Sequence, residues 1–366
     1  MKVTMPNLGS LASIAGKSLL SNLGHEVILP PPNTKRTLDL GVRYAPEYCC
    51  LPLKIVLGNF IEALEKGADT IITVGGWGPC RFGYYSEIQK MILKSLGYKF
   101  EMISLEVPHG NLIRMLNFVN RLRNKKSLPS FIEALKLAWA KVVTIEELEK
   151  EALRVRPREN IKGETSKILK RGLSLIDNTN SIEEIERIKQ KTLIDYSKII
   201  EGNEDKDLIK IKLVGEFYVA LEPFVNHNIE EKLGYLGVEV ERGVSAIPWI
   251  SSFLKFFREN KLQDIIENAA EPYLAQSVGG EGQSTIGHIV LASENGMDGA
   301  IQVIPFTCMP EIVAEIISKK VSDDLNFPVL TLIYDEQTGE EGLVTRLDAF
   351  VDLLKMKKFE RHLIRR

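Results

Sequence analysis

The sequence predicts an α/β protein with two parallel-sheet domains of the Rossmann or flavodoxin type and a helical insert between them. Apolar runs typical of buried strands alternate with helical patterns at both ends of the chain, as expected for parallel βαβ units. Between them, residues 111–207 contain few glycines, and their apolar residues recur at helical spacing with no strand pattern. The 366 residues suffice for two or three domains. We therefore expect an amino-terminal α/β domain over 1–110, the insert over 111–207 and a carboxyl-terminal α/β domain over 208–366.

The amino-terminal domain opens with a βαβ pattern. The expected strands are 2–5, 25–29, 70–74 and 99–104, and the expected helices are 11–22, 52–66 and 85–96. The turn Asn7-Leu8-Gly9-Ser10 lacks the Gly-x-Gly-x-x-Gly spacing of a dinucleotide site, so we interpret it as a plain strand-to-helix turn rather than a phosphate site.

The rest of the chain continues as helices followed by a second α/β pattern. The middle is expected to form helices at 111–124, 129–143, 145–156, 163–178 and 182–201, with their charged runs on solvated faces. The carboxyl-terminal strands are expected at 210–217, 238–242, 299–304 and 329–335, with helices at 228–236, 249–259, 262–270, 285–295 and 344–356 and after Pro310. In each α/β half a buried strand ends in a loop with one Pro and one Cys, which suggests a duplication.

Composition excludes several classes of function. Hydrophobic residues make up 44% and charged residues 26% of the chain, as in ordinary globular proteins. The net charge of −2 gives no electrostatic footprint for nucleic acid. No apolar stretch approaches the roughly 20 residues that cross a bilayer, and the amino terminus lacks the apolar core of a signal peptide. We therefore expect no membrane partner and a cytoplasmic location.

Four cysteines lie in or beside loops rich in Gly or Pro: Cys49, Cys50, Cys80 and Cys308. Four glycines and one proline lie within nine residues around Cys80, between a buried strand and a helix. Ligands of open α/β sheets collect at such strand ends, and a helix amino terminus favours a thiolate. Cys308 follows strand 299–304 in the same way, and Cys50 precedes a helix opened by Pro52.

Three such thiolates could hold a metal cluster. If the strand-end edges of the two domains face each other, the sulfurs of Cys50, Cys80 and Cys308 converge and can hold one [4Fe–4S] cluster with one iron left open for a substrate. The absence of Cys-x-x-Cys spacing argues against a ferredoxin or a zinc ribbon. A zinc or structural thiol site, and three unrelated buried cysteines, stay open as alternatives.

Longer motifs carry a family resemblance. The residues concerned are Cys50-Leu51-Pro52-Leu53-Lys54 with Gly58, Gly67-Ala68-Asp69, Gly78-Pro79-Cys80-Arg81-Phe82-Gly83-Tyr84-Tyr85, Pro305-Phe306-Thr307-Cys308-Met309-Pro310-Glu311, Asp335-Glu336 and Thr345-Arg346-Leu347-Asp348-Ala349-Phe350. They resemble the 2-hydroxyacyl-CoA dehydratase / benzoyl-CoA reductase component-D superfamily, in its CoA-protein-activase-like branch. The resemblance covers both α/β domains, whereas the helical middle matches only in character.

The resemblance implies a [4Fe–4S] cluster held by Cys50, Cys80 and Cys308. It also implies a partner, an ATP-hydrolysing iron–sulfur activator with an actin/Hsp70-like fold, which delivers low-potential electrons for radical dehydration or reduction of a small-molecule or acyl-CoA substrate. A homodimer or a related subunit is expected from the family. Only Cys50 fits the Cys-x-Pro-x-Lys register, so Cys49 is interpreted as a neighbour, and four cysteines are too few for a double cubane.

Several other residues are weaker candidates. Lys54 and Arg81 flank two proposed ligands and could offset the negative charge of a cluster, or they could be ordinary surface cations. Glu222 and Glu281 lie in predicted loops at the same edge and are candidates for acid/base or substrate contacts. The aromatic residues Trp77, Tyr84 and Tyr85 could line the cleft, although core packing is the favoured interpretation.

Two classes of function follow. The first is an iron–sulfur enzyme or enzyme subunit of the lyase or oxidoreductase type that receives electrons from the activator. The second is a non-catalytic electron-transfer or cluster-carrier protein that serves another enzyme. No motif for coenzyme A binding is present, so that expectation rests on the resemblance alone.

Overall fold

The computed structural model describes residues 1–75, 80–105, 112–204, 206–253 and 261–364, without the side chains of 112–115, 249, 251–253, 362 and 364. Two compact units are present. Unit 1 contains Met1–Ile145 and Leu173–Ile188, and unit 2 contains Glu146–Gly172 and Lys189–Arg366. Most of the predicted glycine loop, including Trp77, lies outside the described residues.

Unit 1 contains a parallel sheet of four strands. These are β1 (Lys2–Thr4), β2 (Glu26–Val27), β3 (Thr70–Val74) and β4 (Glu101–Leu105), in the order β2-β1-β3-β4. This order is that of the first four strands of a flavodoxin-like sheet, and the direction of winding reverses between β1 and β3. The predicted fold class is therefore confirmed for this unit.

The helices of this α/β layer include one that the sequence analysis missed. They are a π-helical turn at Leu11–Gly16 that continues as α1 (Lys17–Asn22), α2 (Lys35–Tyr44), α3 (Leu51–Glu65), and a 3₁₀ turn at Arg81–Tyr84 that leads into α4 (Tyr85–Ser95). The missed helix is α2, which begins with a capping box formed by Thr34 and Thr37. The helix α3 is buried along nearly its whole length, so it is a core helix rather than an amphipathic one.

Glycines bring the backbones of α2 and α3 into direct contact. A Cβ atom on Gly58 would lie 2.0 Å from the carbonyl oxygen of Thr37, and one on Gly41 would lie 1.8 Å from the carbonyl oxygen of Lys54. No side chain larger than hydrogen fits at either position without moving a helix. This close approach fixes the beginning of α3, where Cys50 lies.

The middle of the chain is helical wherever it is described, apart from short connections. Its helices are α5 (Leu112–Leu122), α6 (Leu128–Val155), α7 (Glu164–Asn178) and α8 (Ile182–Ile199), with a 3₁₀ turn at Arg156–Arg158. The predicted division into helices 129–143 and 145–156 is wrong: α6 runs unbroken over 28 residues, and after Pro129 in its first turn no Gly or Pro follows. The boundary between the units crosses α6, α7 and α8, and a separate insert over 111–207 stays a prediction.

Unit 2 repeats the sheet of unit 1. Its strands are β5 (Ile209–Gly215), β6 (Val238–Arg242), β7 (Gly299–Pro305) and β8 (Val329–Tyr334), all parallel, in the order β6-β5-β7-β8. Its other helices are α9 (Phe217–Leu221), α10 (Ile229–Tyr235), α11 (Ala246–Phe253), α12 (Lys261–Ala270), α13 (Gly282–Glu294), α14 (Met309–Leu325) and α15 (Glu340–Ile364). The two sheets have the same strand order, which agrees with the expected duplication.

The repeat extends to the helices that precede the third strand of each sheet. In unit 2, α12 and α13 precede β7 as α2 and α3 precede β3. A Cβ atom on Gly287 of α13 would lie 2.1 Å from the carbonyl oxygen of Ile266 in α12, so this pair also packs backbone to backbone. Within the described ranges, every helix is too short or too polar to span a bilayer.

Candidate thiol site

The three predicted ligand cysteines each lie immediately before a helical segment. Cys50 is the amino-terminal cap of α3, Cys80 that of the turn leading into α4, and Cys308 that of α14. All three have extended backbone, with φ of −67°, −70° and −73°. The first turn of a helix has N–H groups without intrahelical acceptors and the positive end of the dipole, and both stabilise a thiolate.

The cysteines also share one edge of their respective sheets. Cys80 follows β3 and Cys308 follows β7, which are the third strands of the two sheets in chain order. The helix α3 connects β2 to β3 by way of a parallel crossover, so its amino terminus with Cys50 lies at the carboxyl end of the strands. In α3 and in α14, proline is the second helical residue. These are the sheet edges at which ligands bind in open α/β folds.

Cys50 is enclosed by apolar and aromatic side chains of unit 1. It forms a buried cluster with Cys49, Leu53 and Tyr85, against which Phe82 packs. Its Sγ atom contacts the hydroxyl group of Tyr85, and both residues are less than 10% exposed. The ring of Phe82 meets that of Tyr85 edge to face, with the centroids 5.7 Å apart. The predicted core packing therefore describes Tyr85, whereas Tyr84 is 74% exposed.

Two cations lie beside the segment that contains Cys49 and Cys50. Lys54, in the first turns of α3, is buried, and Arg81 donates a hydrogen bond of 3.0 Å from Nη1 to the carbonyl oxygen of Tyr48. Burial raises the pKa of the Cys49 thiol, and the positive charges of Arg81 and Lys54 act in the opposite direction. Both cations are thus close enough to act electrostatically on Cys49, the immediate neighbour of the predicted ligand Cys50.

The donor set suits a [4Fe–4S] cluster in chemical type. Cys50 and Cys308 are buried and Cys80 is partly buried, and soft thiolates with nearby cations and helix amino termini are what such clusters use. Within the described ranges, however, no three His, Cys, Asp or Glu side chains are grouped closely enough to hold a metal ion. Convergence of the three thiols therefore stays a prediction.

The two predicted glutamates differ in their position. Glu222 is buried at the end of α9, where its Oε1 atom accepts a hydrogen bond of 3.4 Å from the backbone N–H of Phe224. Glu281 caps α13, the helix that occupies in unit 2 the place of α3. Glu281 therefore holds in the second sheet the position that Cys50 holds in the first.

Sequence reasoning missed two further carboxyl groups beside Glu281. Glu216 caps α9 directly after β5, and Glu311 lies in the first turn of α14, three residues after Cys308. Both follow a strand of unit 2 at its carboxyl end, which is the signal that could have indicated them. Their burial and mutual proximity depend on tertiary packing and are not visible in the sequence.

Glu311 is fully buried and keeps a proton at neutral pH. Its Oε2 atom accepts a hydrogen bond of 2.9 Å from the side-chain amide of Gln302, and the Thr285 hydroxyl lies 3.1 Å from Oε1. Burial, with the charges of Glu281 and Glu216, raises the pKa of Glu311 to about 8, against the opposing effect of the hydrogen bonds from Gln302 and Thr285. Burial also raises the pKa of Glu216 to about 7 and raises that of Glu281. A carboxyl group of this kind can hold and release a proton near pH 7.

Comparison with known proteins places the chain in a family. A search of curated proteins found no match to the chain. Residues 15–242, well over half of the chain, match the family model of the CoA enzyme activase uncharacterised domain (DUF2229). The match includes Cys50, Cys80, Lys54 and Arg81 and extends through the first two strands of unit 2, and it confirms the resemblance to CoA-protein-activase-like proteins. The chain therefore belongs to the CoA enzyme activase domain family.

Proposed function

We propose that this protein is an iron–sulfur protein whose [4Fe–4S] cluster is bound by Cys50, Cys80 and Cys308. It receives low-potential electrons from an ATP-hydrolysing iron–sulfur activator with an actin/Hsp70-like fold. It then serves the dehydration or reduction of a small, CoA-linked substrate. The observation that carries the proposal is the repeated placement of the three cysteines, each at a helix start on the ligand-binding edge of a parallel sheet.

The surroundings of the cysteines support this assignment. When bound, the cluster would supply a single electron at low potential and an iron atom that three thiolates leave open. Lys54 and Arg81 would balance the negative charge, and the packing of Leu53, Phe82 and Tyr85 around Cys50 would exclude water. In unit 2, the buried carboxyl of Glu311 would hold a proton close in sequence to the third ligand.

Family membership supports the CoA-linked substrate and the choice of partners. The family is described as a CoA enzyme activase domain, which favours a role beside enzymes that act on CoA thioesters and an association with dehydratase-type proteins.

One feature favours a second candidate function, a non-catalytic cluster carrier. Cys80 is only partly buried, so one ligand is accessible to an acceptor protein.

The test separates an open iron from a fully coordinated one. The protein is reconstituted anaerobically, reduced with dithionite, and examined by electron paramagnetic resonance with and without cyanide as a probe ligand. Cyanide should change the spectrum if three cysteines leave one iron open. An unchanged spectrum, together with intact transfer of the cluster to an iron-free ferredoxin, would favour the carrier.

A further inference from the structure

We propose that Tyr85 is a positioning residue of the thiol site, whose hydroxyl group donates a hydrogen bond to the Sγ atom of Cys50. The proposal deepens the proposed function, on which its redox part rests. Tyr85 begins α4, five residues after Cys80, whereas Cys50 begins α3. One side chain thus joins the two segments of unit 1 that supply predicted ligands.

The contact is built into the core and is not a chance approach at the surface. Tyr85 and Cys50 are 8% and 7% exposed, and the Tyr85 hydroxyl lies directly against the sulfur. Phe82 holds the Tyr85 ring edge to face, and Ile88 packs against the same cluster. A phenolic hydroxyl is a good donor, and a thiolate sulfur that bears a negative charge is its natural acceptor.

Two consequences follow for the bound cluster. The hydrogen bond orients the Cys50 sulfur and fixes its distance from the segment that contains Cys80. Groups that hydrogen-bond to metal ligands commonly orient those ligands in this way. It also withdraws electron density from a ligand sulfur, which stabilises the more negative, reduced cluster and raises its reduction potential. Tyr84, the exposed neighbour of Tyr85, can do neither and is the matched control.

The first experiment tests the contact without a cluster. Urea unfolding of the full-length, cluster-free protein is compared for wild type, Tyr85→Phe, Cys50→Ala and the double variant. The two substitutions should be non-additive, with a coupling of about two- to tenfold in the folding equilibrium constant. The pair Tyr84→Phe and Cys50→Ala should be additive. Additivity for Tyr85 and Cys50 as well would overturn the proposal.

The second experiment tests the redox role on the reconstituted protein. A dye-mediated titration followed by electron paramagnetic resonance should give a more negative midpoint potential for Tyr85→Phe at equal iron content, and no shift for Tyr84→Phe. An unshifted potential would overturn the redox role. If wild-type protein binds no iron, the proposed function fails and the redox role fails with it, whereas the unfolding experiment still decides the contact.

Discussion

Replacing Glu311 by glutamine should alter how the stability of the protein depends on pH. Glu311 is fully buried between Thr285 and Gln302, and burial raises its pKa from the ordinary value of 4.5 to about 8. The folded state therefore keeps a proton that the unfolded chain releases above pH 4.5. The stability that this group contributes is fully present below pH 4.5 and is lost as the pH rises through 8.

The size of the pKa shift of Glu311 sets how much the stability of the protein changes with pH. Each pKa unit corresponds to about 1.4 kcal/mol, so the wild-type protein should lose about 4 kcal/mol of stability through Glu311 between pH 5 and pH 8.5. Glutamine keeps the shape of the side chain and does not titrate. Glu311→Gln should therefore be most destabilising near pH 5, and this cost should shrink by about that amount towards pH 8.5. Glu216 and Glu281 remain in both proteins and provide a common background.

Urea unfolding followed by far-ultraviolet circular dichroism, at a series of pH values, measures the difference between the two proteins. Glu315→Gln is the control, because Glu315 lies one turn further along α14 and is only partly buried. Its difference from wild type should vary little between pH 5 and pH 8.5. A difference between wild type and Glu311→Gln that is the same at both ends of the range would refute the buried, protonated carboxyl.

Two further substitutions test the close packing of α2 on α3 and the ion pairs of Arg242. Gly58→Ala should destabilise the protein by about 3 kcal/mol, because the new Cβ would lie 2.0 Å from the Thr37 carbonyl oxygen, and an unchanged urea midpoint would contradict the close approach of α2 and α3. Gly342→Ala is its control and should be neutral or slightly stabilising, since nothing lies within 4 Å in α15. Arg242→Met should cost about 3–5 kcal/mol by the same measurement, because it leaves Glu149 and Glu230 without their shared cation, and a loss below 1 kcal/mol would argue against this ion-pair network.

The sequence predicts the elements that neighbouring residues determine, and it does not predict those that depend on tertiary packing. The strands β3 and β7 are apolar runs with strand composition, so composition alone predicts them, and β6 is predicted to the residue. The sequence pattern does not predict α2, because this helix is short and polar on average and is stabilised by its packing on Gly58 of α3. The predicted split of α6 is wrong because the charge pattern near Glu146 resembles a new helix start, although no residue there breaks a helix.

The candidate site likewise has features that the local sequence predicts and features that it does not. The positions of Cys50, Cys80 and Cys308 at helix starts follow from Gly and Pro in the adjacent loops, which are local signals. The burial of Glu311 and the contact between Tyr85 and Cys50 join residues that are distant in sequence, so no local pattern predicts them.

The most direct test of the central claim is the iron and acid-labile sulfide content of the protein after anaerobic reconstitution. Wild type and Cys49→Ser should contain about four irons and four sulfides per chain. Cys50→Ser, Cys80→Ser and Cys308→Ser should each lose or degrade the cluster, because each removes one of its three thiolate ligands. Iron-free wild-type protein, zinc alone, or a full cluster in Cys308→Ser would contradict a cluster bound by these three cysteines.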